Sequence, residues 1–167
     1  MNVRHTLPGD IERTSMSIIA AELAERNIIL PPEHEAVVKR VIHTTADFDY
    51  AENLRFTSRA AELGQAALRR GIPIVTDTNM AKVGVSKPSL KTLGCELHCF
   101  MADPEVAMLA KEQGLTRAAV SMEKAARELP GAILAVGNAP TALLRIAELI
   151  AEGLRPALVI GVPVGFV

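Results

Sequence analysis

Apolar positions recur at helical spacing through IERTSMSIIAAELAER, where Ile11, Ile18, Ile19 and Leu23 fall on one stripe. Asp10 stands just ahead of that run, so a helix capped by Asp10 is expected. At about 100° per residue, Ser15 falls inside the stripe, close to Ile11 and Ile18. A serine there either bonds back to the helix carbonyl four residues earlier or lines a site. Pro31 and Pro32 open a second expected helix, PEHEAVVKRVIH, with proline tolerated in its first turn. Val37, Val38, Val41 and Ile42 form its apolar face. His43 projects roughly opposite the centre of that face, so its own helix does not place it in the core.

After Phe56 the period changes repeatedly. SRAAELGQAALRRG reads as a helix ending at Gly71, and IPIVTD as a buried strand, too short and too β-branched for a helix. CELHCFM is a second strand. DPEVAMLAKEQG is a helix with Asp103 as N-cap, Pro104 at its first position and Gly114 at its end. TRAAVSMEKAARELPG is another helix, AILAVGN a third strand, PTALLRIAELIAEG a helix and PALVIGVPVG a fourth strand. Strands alternating with helices give an α/β fold: a mostly parallel sheet with helices on both faces, the N-terminal helices packed alongside. A length of 167 residues fits one such domain, residues 1–167.

Composition narrows the function classes. The chain is 49% hydrophobic but only 3% aromatic, with no Trp, so Ala, Val, Leu and Ile must fill the core. Few aromatics and a formal net charge of −1 argue against a nucleic-acid surface. No apolar run approaches the roughly 20 residues of a membrane span, and MNVRHTLPGDIERTS lacks a signal peptide's apolar region, so a cytoplasmic protein is expected. Cys95 and Cys99 have no second pair nearby and read as reduced strand cysteines. His5, His34, His43 and His98 show no metal-ligand spacing.

In parallel sheets, ligands sit beyond the carboxyl ends of the strands. Here those ends run into TDTNMAKVGV, GNAPT and GVPVGF, which suit close approach of backbone to a ligand. GNAPT also opens a helix, so its backbone N–H groups either hold an anion or form an ordinary strand–turn–helix junction. Asp47 and Asp49 either form a turn or touch a ligand. His43, ahead of TTADFD, is either structural or a working acid. Nucleotide-binding, zinc-protease and serine-hydrolase motifs do not occur.

IERTSMSII, RVIHTTADFDYAENLRF, IVTDTNMAKVG, the LTRAA run, VGNAPTALLRI and PALVIGVPVGFV together resemble the precorrin-8X methylmutase family, including its cobalt-precorrin-8 counterpart. The blocks agree in order and spacing across nearly the whole chain. The resemblance implies an isomerase of corrin-ring (cobalamin) biosynthesis that moves a methyl group from C11 to C12 of precorrin-8X, giving hydrogenobyrinate or its cobalt form. It implies no organic cofactor and no catalytic metal. It matches the family's catalytic histidine to His43. It places Ser15, Thr76, Asp77, Thr78, Asn79, Met80 and Arg117 along the substrate site, with Gly137, Asn138, Ala139, Thr141, Gly161 and Gly165 on pocket blocks. It further implies a homodimer whose partner subunit helps to build the site.

The substrate's carboxylates would need placed donors: Arg117, the N–H groups at Asn138–Thr141 and the Ser15 hydroxyl. Met80, Val83, Val164 and Phe166 would give its ring an apolar floor, and Ile146, Leu149 and Ile150 are candidates for subunit burial. Asp47 or Asp49 would favour a charged His43 if close to it. Family members continue past GVPVGFV through a lysine-bearing helix and a Gly-rich segment, whereas this sequence stops at Val167. The alternative reading is therefore a non-catalytic corrinoid-binding protein or a truncated inactive form.

Overall fold

The computed structural model describes residues 8–163. Its chain divides into two compact units, 1–62 and 63–167.

The first unit is helical: α1 (Pro8–Glu25), α2 (Pro32–Thr45) and the short α3 (Tyr50–Asn53). Asp10 is not the cap of α1. The helix starts at Pro8, and Asp10 sits within its first turn, where a carboxylate complements the helix dipole. The buried stripe is also narrower than its sequence suggests. Ile19 and Leu23 are buried with Val38 and Ile42 of α2, and Met16, Phe48, Tyr50 and Phe56 close around them. Ile11 and Ile18 are 54% and 60% exposed, and Val37 is exposed as well. α2 ends on Ala46 at φ 56°, a left-handed position that a non-glycine residue takes at some cost. Such an ending leaves no glycine signal to read in the sequence.

The second unit carries the sheet. Its elements are α4 (Ala60–Arg69), β1 (Ile74–Thr76), α5 (Asn79–Gly84), α6 (Lys87–Leu93), β2 (Leu97–His98), α7 (Pro104–Gln113), α8 (Arg117–Glu128), β3 (Ile133–Val136), α9 (Pro140–Ala151) and β4 (Leu158–Gly161). The strand order is β2-β1-β3-β4 and every pairing is parallel. Residues alternate between the faces of a strand, and the core clusters divide accordingly. Val75, Leu134 and Val136 pack with Met122 and Ala125 of α8 and with Ala142 and Ile146 of α9. Ile74 and Ile133 face the other way, onto Ala67 and Leu68 of α4 and Leu90 of α6. The expected parallel sheet with helices on both faces is what forms.

Local signals held where they were strongest. Asp103 caps α7 by accepting the N–H of Glu105 at 2.9 Å, and Gly114 ends that helix at φ 67°. Gly71 turns at φ 69°, and a Cβ there would lie 3.2 Å from the carbonyl oxygen of Gly94. TDTNMAKVGV, which follows β1, and the residues after it form α5 and α6. Two sequence readings need correction. CELHCFM contributes only two strand residues, Leu97 and His98, at one edge of the sheet. Ile146 is 1% exposed and belongs to the core, Leu149 packs partly buried against the same cluster, and of that set Ile150 is the exposed one.

Candidate functional site

In the first unit, α2 carries His43 to α1. The hydroxyl of Ser15 lies 2.7 Å from His43 Nδ1. This contact decides between the two readings of Ser15: its hydroxyl goes across to α2, and it is Ser17 that bonds back to a helix carbonyl, that of Arg13, at 3.0 Å. His43 is half-buried. Its Nε2 makes no hydrogen bond with the described residues. His34 is different: it stacks on Phe56 at 4.0 Å with Nδ1 buried and unpaired, a packed aromatic.

Asp47 and Asp49 do not pair with His43. Asp47 accepts the N–H of Asp49 at 2.9 Å and so forms the turn into α3. The carboxylate one turn from the Ser15–His43 contact is Glu12 on α1, which sequence reasoning missed. Arg40 Nη2 donates to Glu12 Oε1 at 2.6 Å. The guanidinium of Arg40, by hydrogen bond and then by charge, holds the Glu12 carboxyl below its ordinary range, and His43 adds in the same direction.

In the second unit, the carboxyl ends of β1 and β3 meet through Asp77. This residue is fully buried. Its Oδ1 accepts the N–H of Gly137 at 3.1 Å, and its Oδ2 accepts those of Asn138 at 2.9 Å and Ala139 at 2.6 Å. GNAPT thus does hold an anion at a helix start, but the anion is the protein's own. The expectation that these donors stay free for a ligand carboxylate is corrected. Thr76 is buried too, with its hydroxyl 3.1 Å from the carbonyl oxygen of Thr78 and 3.3 Å from that of His98. Thr78 caps α5, accepting from Ala81 N at 3.2 Å, and donates to Asn138 Oδ1 at 2.6 Å.

The accessible groups of this edge are few. Asn79 and Met80 are exposed at the start of α5, and Val83 follows at 70% exposure. Arg117 is exposed at the first position of α8 and pairs with nothing among the described residues. Thr116, the cap of α8, meets Thr141 of α9 hydroxyl to hydroxyl at 2.9 Å, which fixes the two helix starts together. Gly161 ends β4, exposed, with a Cβ position only 2.9 Å from Leu143 Cδ1. Val164, Gly165 and Phe166 lie outside the described residues. Among the described residues no helix is long and apolar enough to cross a membrane.

A parallel α/β sheet with small residues at its carboxyl edge, joined in sequence to a helical unit in which a serine holds a histidine, is the architecture of an α/β enzyme. The chain belongs to the precorrin-8X methylmutase family, an isomerase family of cobalamin biosynthesis, whose sequence description matches residues 10–167. It is 44% identical to a cobalt-precorrin-8 methylmutase of Leptospira interrogans, over 96% of this chain and 74% of that protein. With the corresponding enzyme of Salmonella typhimurium it shares 43% identity, over 96% of this chain and 77% of the other. The precorrin-8x methyl mutase of Thermus thermophilus, solved by crystallography, superimposes with a TM-score of 0.83 at 40% identity, covering 94% of this chain and 76% of that one.

Proposed function

We propose that this isomerase moves a methyl group from C11 to C12 of precorrin-8X, or of its cobalt-containing counterpart, with His43 as the general acid. Family membership supports the reaction, and the Ser15–His43 hydrogen bond is the observation that supports the acid. A methyl shift within a conjugated ring needs no outside group. It needs the ring's electrons tilted, which a delivered proton accomplishes, and an isomerisation returns as many protons as it takes up. The imidazolium donates from Nε2. The neutral ring left behind keeps its Nδ1 proton and its bond to the Ser15 oxygen, so the ring does not turn during the transfer. General acid help of this kind is worth roughly 10²–10⁴-fold, and holding the ring in reactive geometry supplies the remainder.

Arg117 is the proposed carboxylate anchor, because a free, exposed guanidinium offers a bidentate fork. Met80 and Val83, 69% and 70% exposed, are the proposed apolar contacts. Ser15 and Asp77 move from direct substrate contact to holding roles, since each is already engaged within the protein. Cytoplasmic action as a homodimer completes the reading, supported by the two free cysteines and by exposed aliphatics such as Ile11 and Ile18. Light scattering that returns a monomer at every concentration removes the dimer.

The test is incubation of the purified protein with precorrin-8X while the visible spectrum is followed. Conversion to hydrogenobyrinate is expected, and bound but unchanged substrate overturns the assignment. His43→Asn is then expected to keep its melting temperature and most of its affinity while losing turnover by about 10²–10⁴-fold. Normal turnover in a stable His43→Asn protein removes His43 from the mechanism.

A further inference from the structure

The contact between α1 and α2 has two polar layers. Ser15 meets His43, and one turn earlier on both helices Glu12 meets Arg40; each pair is 28 residues apart in sequence. The Glu12–Arg40 pair is exposed, 49% and 56% by side chain. Exposed pairs of this kind add little to stability. Their charges still act on a neighbour one helical turn away. Arg40 lies three residues before His43 on the same helix, so an uncompensated guanidinium there would oppose an imidazolium.

We infer that Glu12 is a positioning residue for the methyl shift: its carboxylate balances Arg40 so that His43, one turn along, can carry the proton it delivers. This rests on His43 being the acid. On α1 the charged group one turn from Ser15, which holds His43, is Glu12, and on α2 the one a turn before His43 is Arg40, and these two are hydrogen-bonded to each other. Asp47 and Asp49 in the following loop, and Tyr50 and Glu52 on α3, make no hydrogen bond or ion pair with it among the described residues. Lys39 is occupied by Glu35, and Arg13 by Asp10.

Opposite substitutions give opposite signs. Glu12→Gln still accepts from Arg40 but removes the negative charge, and Arg40→Gln removes the positive one. Glu12→Gln and Arg40→Gln are expected to move the His43 midpoint, followed by NMR in the full chain, in opposite directions, down in the first and up in the second. Glu12→Gln/Arg40→Gln is expected to return it close to the parent position, and 1 M salt to shrink all the shifts. Melting temperatures should hardly change. Because the acid must be protonated, the alkaline limb of turnover is expected to follow the NMR midpoint. Unmoved midpoints, or shifts of the same sign in both single variants, overturn the charge balance. Midpoints that move as stated while the turnover limb stays fixed support the balance and overturn His43 as the acid instead.

Discussion

The carboxylate of Asp77, at the end of β1, accepts the backbone N–H of Asn138 at 2.9 Å, 61 residues further along the chain. With the N–H groups of Gly137 and Ala139 it forms a three-donor clasp that ties the ends of two neighbouring strands to the start of α9. Charge-assisted bonds to a buried carboxylate are among the stronger hydrogen bonds in a protein.

Asp77→Ala would leave three backbone donors facing a buried cavity. Each unsatisfied buried donor costs about 1–3 kcal/mol, so a loss of at least about 3 kcal/mol is expected. For a chain of this size that is a fall of roughly 10 °C in melting temperature. Asp77→Asn should recover part of the loss, because its carbonyl oxygen can accept two of the three N–H groups while its amide nitrogen presents a donor to the third. Differential scanning calorimetry decides: a melting temperature within 2 °C of the parent in both variants would show that the clasp does not hold this edge.

Ser15→Ala removes the hydroxyl that fixes the His43 ring, while the cluster around Ile19 and Ile42 is untouched. Turnover of precorrin-8X is expected to fall about tenfold, the loss of one hydrogen bond of about 1.4 kcal/mol in the transition state. Melting temperature should be unchanged, and Ser15→Thr should restore part of the rate. Full turnover in Ser15→Ala would mean that His43 is oriented by something else.

Arg117→Ala should weaken corrinoid binding, and Arg117→Lys should restore it only in part, because an ammonium cannot make the two parallel bonds of a guanidinium. About 1.5–3 kcal/mol is the usual worth of a charged hydrogen bond, which is roughly 10- to 150-fold in affinity. Equal affinities for all three proteins by titration would return Arg117 to the ordinary surface.

Acid sensitivity should arise partly at Glu105. Lys124 bonds its carboxylate at 2.6 Å and also lies 2.9 Å from Glu128 and 3.3 Å from Asp103, the cap of α7. The hydrogen bond and then the charge of Lys124 hold Glu105 below the ordinary carboxylate range. The bonds to Glu105 and Glu128 raise Lys124 in turn. A carboxyl depressed by folding contributes stability above its unfolded range and loses it as pH falls through the lower folded value. Thermal melting against pH should therefore show an acid decline below the ordinary carboxylate range that is shallower in Glu105→Gln. Superimposable acid limbs would exclude the contribution.

Much of this protein is set by local chemistry, and that part could be read from the chain. Asp103, Pro104 and Gly114 delimit α7 because a cap side chain, a fixed φ and a left-handed glycine act within a few residues. The alternation of short β-branched runs with amphipathic segments was enough for the parallel sheet. His43 was legible as a residue its own helix does not bury, and the motif blocks carried the family. What faces what was not legible. The length of α2 does not say that His43 meets Ser15, nor that Glu12 rather than Asp47 is the nearby carboxylate, because the register of two packed helices depends on side-chain packing along their whole contact. Nor does GNAPT announce that its donors belong to Asp77. That follows only once β1 and β3 are neighbours in the sheet, a pairing between segments some sixty residues apart that the tertiary structure alone decides.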